Sequence, residues 1–352
     1  MANDDRTPVM LLTGFLGSGK TTLLNAWLRS PDLAGAAVIV NEFGEVGIDH
    51  ALIASSNDNT IELSTGCLCC TVRGDLVDTL RELQAKRASG EVRDFDRVVI
   101  ETTGLADPAP VIQALMTFPV ARRFCLHRIV TAVDAVNGIQ TLQRHSESLK
   151  QAAVADDVIV TKIDVPGAAV ANTEAAVLAL NAGARLHRSA GNDVFRFADL
   201  AAADVYDPAA KSSDVAAWLN AEAYRYGADE GHGHRHHHDV NRHDADIGSF
   251  CLSYAEPLHW EHVANWLDAL VMAHGDQLLR VKGILSIAGR DKPIVVQAVQ
   301  HLFHPPQELD EWPGGERRSQ IVFITRALPR EFVVEVLETI RQKRIAPADA
   351  SF

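Results

Sequence analysis

Val9-Met10-Leu11-Leu12-Thr13-Gly14-Phe15-Leu16-Gly17-Ser18-Gly19-Lys20-Thr21-Thr22-Leu23-Leu24 is the stretch that decides the fold of this chain. An apolar run leads through Gly-x-x-x-x-Gly-Lys-Thr into a helix-favouring pattern, which is the order strand, phosphate-binding loop, helix. The glycines let successive backbone N–H groups turn inward around phosphate oxygens at a helix N-terminus. Lys20 supplies positive charge against the β- and γ-phosphates, and the Thr21 hydroxyl is a hard oxygen donor suited to Mg²⁺. Gly14, Gly17, Ser18, Gly19, Lys20, Thr21 and Thr22 are therefore candidate nucleotide-binding residues, with Lys20 and Thr21 also candidate catalytic groups.

Further short apolar runs follow at 9–12, 36–40, 98–100, 129–133 and 158–160, with helical patterns at 20–29, 76–87 and 169–180. Continuous rather than alternating apolar runs are the mark of strands buried on both faces of a parallel sheet. Residues 1–207 thus read as an α/β domain with a mostly parallel, doubly wound sheet. From about 208 to 246 the composition changes, and 229–246 has almost nothing to pack into a core, so 208–246 reads as a His-rich linker or loop. Beyond them, strand patterns at 247–254, 278–288, 293–299 and 320–325 and helical patterns at 260–272 and 330–341 give the order β-α-β-β-β-α. This is a small α+β domain over 247–352.

The whole chain has 352 residues, enough for about two domains at roughly 100 to 200 residues each. Its 33 basic and 46 acidic residues leave a net charge of −13, which disfavours binding nucleic acid or an anionic membrane through a broad basic face. The beginning Met-Ala-Asn-Asp-Asp is acidic where a signal peptide is basic, and no apolar run approaches the ~18 residues of a spanning helix. A cytoplasmic protein is expected. Five cysteines are too few and odd in number for a disulfide framework and fit metal-binding or reactive thiols better.

Two more segments close strands and carry chemistry. Glu101-Thr102-Thr103-Gly104 follows the run at 98–100; Glu101 is the candidate second carboxylate for Mg²⁺ or for positioning water, and Gly104 lets a backbone N–H approach the γ-phosphate. Thr161-Lys162-Ile163-Asp164 follows the run at 158–160. The Asp164 carboxylate can accept from guanine N1–H and the exocyclic amine while the stem of Lys162 lies along the base. Charge-assisted bonds of about 1.5 to 3 kcal/mol each would then favour GTP over ATP.

Gly66-Cys67-Leu68-Cys69-Cys70 places three thiols in four positions. Adjacent cysteines do not form a low-strain disulfide easily, whereas three thiolates converging on one borderline ion is ordinary zinc chemistry. No second cysteine pair closes the set, so the fourth position stays open, as in a site that exchanges its metal. A redox thiol cluster is the competing reading. Glu42 and Glu45, in the loop 41–49, are candidates to complete a zinc site. His232, His234, His236, His237, His238 and His243 fall within twelve positions and read as low-affinity ligands for Zn²⁺, Co²⁺ or Ni²⁺, or else as a solubilising spacer. His259 with His262, and His301 with His304, read as surface pairs, and Cys125 and Cys251 as core.

Together the phosphate loop, Asn41-Glu42-Phe43-Gly44-Glu45, Gly66-Cys67-Leu68-Cys69-Cys70 and Glu101-Thr102-Thr103-Gly104-Leu105-Ala106-Asp107-Pro108 resemble the CobW-like metallochaperone GTPases. Leu279 to Gly283 and Gln297 to Gln300 are similar to that family's C-terminal domain. The resemblance implies a G domain related to the hydrogenase and urease nickel-insertion GTPases. It also implies hydrolysis of GTP to GDP and phosphate, and zinc or cobalt carried on Cys67, Cys69 and Cys70 for delivery to a client metalloenzyme. It further places Cys70, Thr71, Val72, Arg73 and Gly74 beside the nucleotide. Thr161 stands where the base motif usually has Asn, and Val40 where some members carry a further acid. The leading reading is a GTP-dependent zinc chaperone using GTP, Mg²⁺ and Zn²⁺. A cobalt chaperone in cobalamin synthesis, a nucleotide-binding metal buffer or sensor and a P-loop kinase remain as alternatives.

Overall fold

The structure is a computed structural model and describes residues 6–40, 60–62, 72–201, 247–303, 305–312 and 317–342. The chain divides into two compact units, Met1–Trp218 and Leu219–Phe352.

The first unit runs β1 (Thr7–Gly14), α1 (Lys20–Leu28), β2 (Ala36–Val40), β3 (Thr60–Glu62), α2 (Val72–Ser89), β4 (Arg97–Glu101), α3 (Ala109–Met116), β5 (Phe124–Asp134), α4 (Gly138–Arg144), α5 (Ser146–Ala153), β6 (Asp157–Thr161), α6 (Val170–Leu180), β7 (Arg185–Arg188) and α7 (Phe197–Ala201). Its seven strands form one sheet in the order β3-β2-β4-β1-β5-β6-β7. Every pairing is parallel. All residues of β2 and β6 are buried, which is why those strands appear in the sequence as unbroken apolar runs. The expected doubly wound sheet is therefore present, and β3 and β7 extend it beyond the strands legible in the sequence. Because β1 is central, its carboxyl end opens between loops from both sides, the place where α/β sheets hold ligands.

The second unit runs β8 (Ile247–Tyr254), α8 (Trp260–His274), β9 (Leu278–Leu285), β10 (Ile294–Val299), β11 (Leu302–Phe303), β12 (Gln307–Glu308), β13 (Ser319–Arg326) and α9 (Arg330–Gln342). The antiparallel sheet has the order β11-β10-β9-β13-β8, with β12 paired to β10. Residues of α8 and α9, including Trp266, Leu270, Val333 and Leu337, share one core with Phe250, Val281 and Phe323 of the sheet. The Trp266 indole N–H is satisfied within that core by the Val333 carbonyl at 2.9 Å. The expected β-α-β-β-β-α order holds, with the short strands β11 and β12 added. Cys125 on β5 and Cys251 on β8 do lie on strands, but each is only half-buried rather than in the core. Their side chains fall on faces that the apolar neighbours do not fully cover.

Candidate nucleotide site

The loop from Gly14 to Gly19 joins β1 to α1, so the helix N-terminus faces the carboxyl end of the central strand. Gly14 is fixed by space as well as by torsion. Its φ is +138°, and a Cβ there would lie 2.4 Å from the Ala132 carbonyl oxygen on β5. Lys20 is buried, and its ammonium donates to the carbonyls of Gly14 at 2.7 Å and Phe15 at 3.1 Å. The lysine thus closes the loop that it would share with phosphates.

Glu101 ends β4 beside β1 and is 4 % exposed. The Thr21 hydroxyl donates to Glu101 Oε1 at 2.7 Å across a separation of 80 residues. Two hard oxygen donors from different elements meet under the phosphate loop, and this donor set suits Mg²⁺. Thr102 is anchored next to them: its N–H donates to the Leu12 carbonyl at 3.0 Å and its hydroxyl to Thr13 Oγ1 at 2.8 Å. At Gly104 the two loops touch main chain to main chain, since a Cβ there would stand 2.6 Å from the Leu16 nitrogen.

The segment 161–164, expected from the sequence to read the base, leaves β6. The Thr161 hydroxyl donates to the Ser18 carbonyl at 2.6 Å and lies 3.3 Å from the Val133 carbonyl. Thr161 therefore ties the segment to the phosphate loop, a role that its reading as a missing Asn does not suggest. Lys162 has φ +56°, in the left-handed region, and its ammonium meets Asp134 Oδ2 at 2.7 Å. Asp134 ends β5 and also accepts from the Val136 N–H at 2.6 Å and from the Asn137 N–H and side-chain amide at 3.3 and 3.2 Å. Burial pushes its carboxyl up, but the bonds from Lys162, Val136 and Asn137 outweigh this and hold it below the usual carboxylate range. Asp164 Oδ2 accepts from the Gly191 N–H at 3.1 Å. Sequence reading missed Asp134; the available signal was a carboxylate closing the apolar run at 129–133.

Gly14, Gly17, Ser18, Gly19, Lys20, Thr21, Thr22, Glu101, Thr161, Lys162 and Asp164 thus all lie on segments leaving the carboxyl ends of β1, β4 and β6. Val72, Arg73 and Gly74 begin α2. Cys67, Cys69, Cys70, Thr71, Glu42, Glu45, His304 and the histidines between 232 and 243 lie outside the described residues. Among the described residues no group of three or more His, Cys, Asp or Glu side chains is arranged to hold a metal ion. The His259 and His262 rings stand 5.6 Å apart, and His301 Nε2 meets Asp276 Oδ1 at 3.0 Å. Among the described residues no helix is long and apolar enough to cross a membrane.

Residues 8–188 match the family "CobW/HypB/UreG, nucleotide-binding domain", and residues 247–341 match "Cobalamin synthesis protein cobW C-terminal domain". The chain belongs to the CobW/HypB/UreG family. Among its CobW-type relatives, the zinc chaperone YjiA of Escherichia coli is 32% identical, covering 95% of this chain and 98% of its own. The zinc chaperone CobW of Pseudomonas aeruginosa is 31% identical, over 95% of this chain and 91% of its own. The crystal structure of the Zn(II)-bound YjiA GTPase from E. coli superposes with a TM-score of 0.68 at 27% identity, covering 96% of this chain and 99% of that one. The first unit has the P-loop GTPase fold of this family, and the second is a separate antiparallel-sheet domain.

Proposed function

We propose that this chain is a GTP-dependent zinc metallochaperone. A G domain at 1–207 hydrolyses GTP with water to GDP and phosphate. Residues 208–246 connect it to a CobW-like domain at 247–352. One observation carries the reading: a chain matched along nearly its whole length by proteins named zinc chaperones carries both a phosphate-loop motif and the Cys67-Leu68-Cys69-Cys70 thiols.

In this reading Lys20 and the N-terminus of α1 bind the β- and γ-phosphates, and Asp164 reads guanine while Asp134 orients Lys162 along it. Thr21 and Glu101 would hold Mg²⁺, which offsets charge developing on the phosphate oxygens. Catalysis is otherwise a matter of position and electrostatics, because phosphoryl transfer to water asks little covalent chemistry of the protein. Zinc is cargo on Cys67, Cys69 and Cys70. Free thiols have pKa values near ~8.5, so zinc uptake releases protons. Glu45 is proposed as a further ligand, and the histidines from 232 to 238 as a weak reservoir. Ordering of the loops by GTP couples nucleotide state to metal release toward a client metalloenzyme.

Zinc affinity by competition, with and without a GTP analogue, tests the reading. Cys67→Ala should weaken zinc binding by roughly 100-fold while GTP affinity stays unchanged. Unchanged zinc affinity removes the thiol site. Cobalt is the second cargo to titrate, because the C-terminal match is to a cobalamin synthesis domain.

A further inference from the structure

Helix α5 spans the two loops that would respond to the γ-phosphate. At its amino end, His145 stacks on Phe15 of the phosphate loop, with ring centroids 4.4 Å apart and planes at 27°. Further along, Lys150 Nζ pairs with Asp107 Oδ2 at 2.5 Å. The Gln151 side-chain amide donates to the carbonyls of Gly104 at 3.1 Å and Ala106 at 3.0 Å. Gln151 is 1 % exposed, and its main-chain carbonyl accepts from the Thr131 hydroxyl at 2.8 Å, so the residue is tied to β5. The segment held this way begins three residues after Glu101.

Peptide planarity gives the clamp a direction. With the Gly104 and Ala106 carbonyls turned to Gln151, the N–H groups of Leu105 and Asp107 point the opposite way, away from α5. Asp107 is restrained again through Oδ1, which accepts from the Ala109 N–H at 3.0 Å at the start of α3. A loop so restrained presents its N–H groups in a fixed orientation, which is the preorganisation that phosphoryl transfer rewards.

We propose that Lys150 and Gln151 are positioning residues for GTP hydrolysis, holding residues 104–107 so that turnover depends on them while nucleotide binding does not. The proposal rests on the GTPase reading above. Phosphate release from GTP by the full-length chain, with GDP affinity and thermal midpoint measured in parallel, tests it. Lys150→Met should lower kcat about tenfold with KM for GTP and GDP affinity within about twofold of the parent, and Lys150→Arg should restore kcat. Gln151→Met should act in the same direction, and the double variant should fall by less than the product of the two, as groups acting as one unit do. Parent kcat in Lys150→Met overturns the proposal. So does a loss that Lys150→Arg shares, or one matched by an equal fall in GDP affinity and thermal midpoint. If the parent chain releases no phosphate from GTP, the GTPase reading itself fails, and this inference with it.

Discussion

The two ends of the parallel sheet both bury ionic groups, but they use them differently. At the carboxyl end, Lys20, Glu101 and Asp134 are bonded to loop carbonyls, a hydroxyl and loop N–H groups, and Asp134 also pairs with Lys162, each on a segment proposed to border the nucleotide. At the opposite end of β6, a single buried carboxylate meets three basic side chains. Asp157 is fully buried and accepts from Arg128 at 3.0 Å, Arg185 at 2.9 Å and His187 at 2.7 Å. Burial pushes the Asp157 carboxyl up, but the His187 hydrogen bond and the Arg128 and Arg185 charges hold it below the ordinary range. The first cluster sits on the loops proposed to hold GTP, the second among the strands themselves. Function should therefore be sensitive at the first and folding at the second.

Asp157→Asn offers the largest effect. It takes the Asp157 charge away from Arg128, itself 1 % exposed, and should cost about 3 kcal/mol in denaturant unfolding, with GTP affinity of the folded fraction intact. The pH dependence follows from the depressed pKa: the carboxylate's contribution is complete above its unfolded value of about 3.9 and is lost as pH falls through the folded value. The stability gap between parent and variant should thus close only in strongly acidic solution. An equal loss of GTP affinity would break the contrast between the two ends.

Lys20→Ala comes next. It should reduce GTP affinity about 100-fold by equilibrium binding, a larger effect than on the unfolding midpoint, because the substitution removes the charge that would meet the phosphates as well as the two bonds to the Gly14 and Phe15 carbonyls. Asp134→Asn should be milder, about tenfold in GTP and GDP affinity alike, since it loosens Lys162 and leaves the phosphate-binding groups in place. A guanine-to-adenine preference unchanged in that variant would show that Lys162 does not need Asp134 to meet the base.

What the sequence makes legible is what short-range geometry dictates. Gly14 to Thr21 is a local device, and its glycines, lysine and threonine declare it without knowledge of the rest of the chain. The apolar runs of β2 and β6 are as plain, because burial on both faces leaves no polar position. β7, Arg-Leu-His-Arg, escaped detection because two of its side chains serve Asp157 instead of an apolar core. The bond from Thr161 to Ser18 spans 143 residues, and those from Gln151 to the loop span 47 and 45. No spacing rule reaches such distances. Lys150 and Gln151 belong to no motif, so nothing along the chain singles them out.

The close approach at Gly104 and Leu16 has a mechanical consequence. Where segments meet through side chains, rotamers can absorb a small displacement before the next backbone moves. At Gly104 the Leu16 backbone itself is within reach, as the Ala132 backbone is at Gly14. A shift of the phosphate loop should therefore carry to the segment after Glu101 with little side-chain slack to take it up.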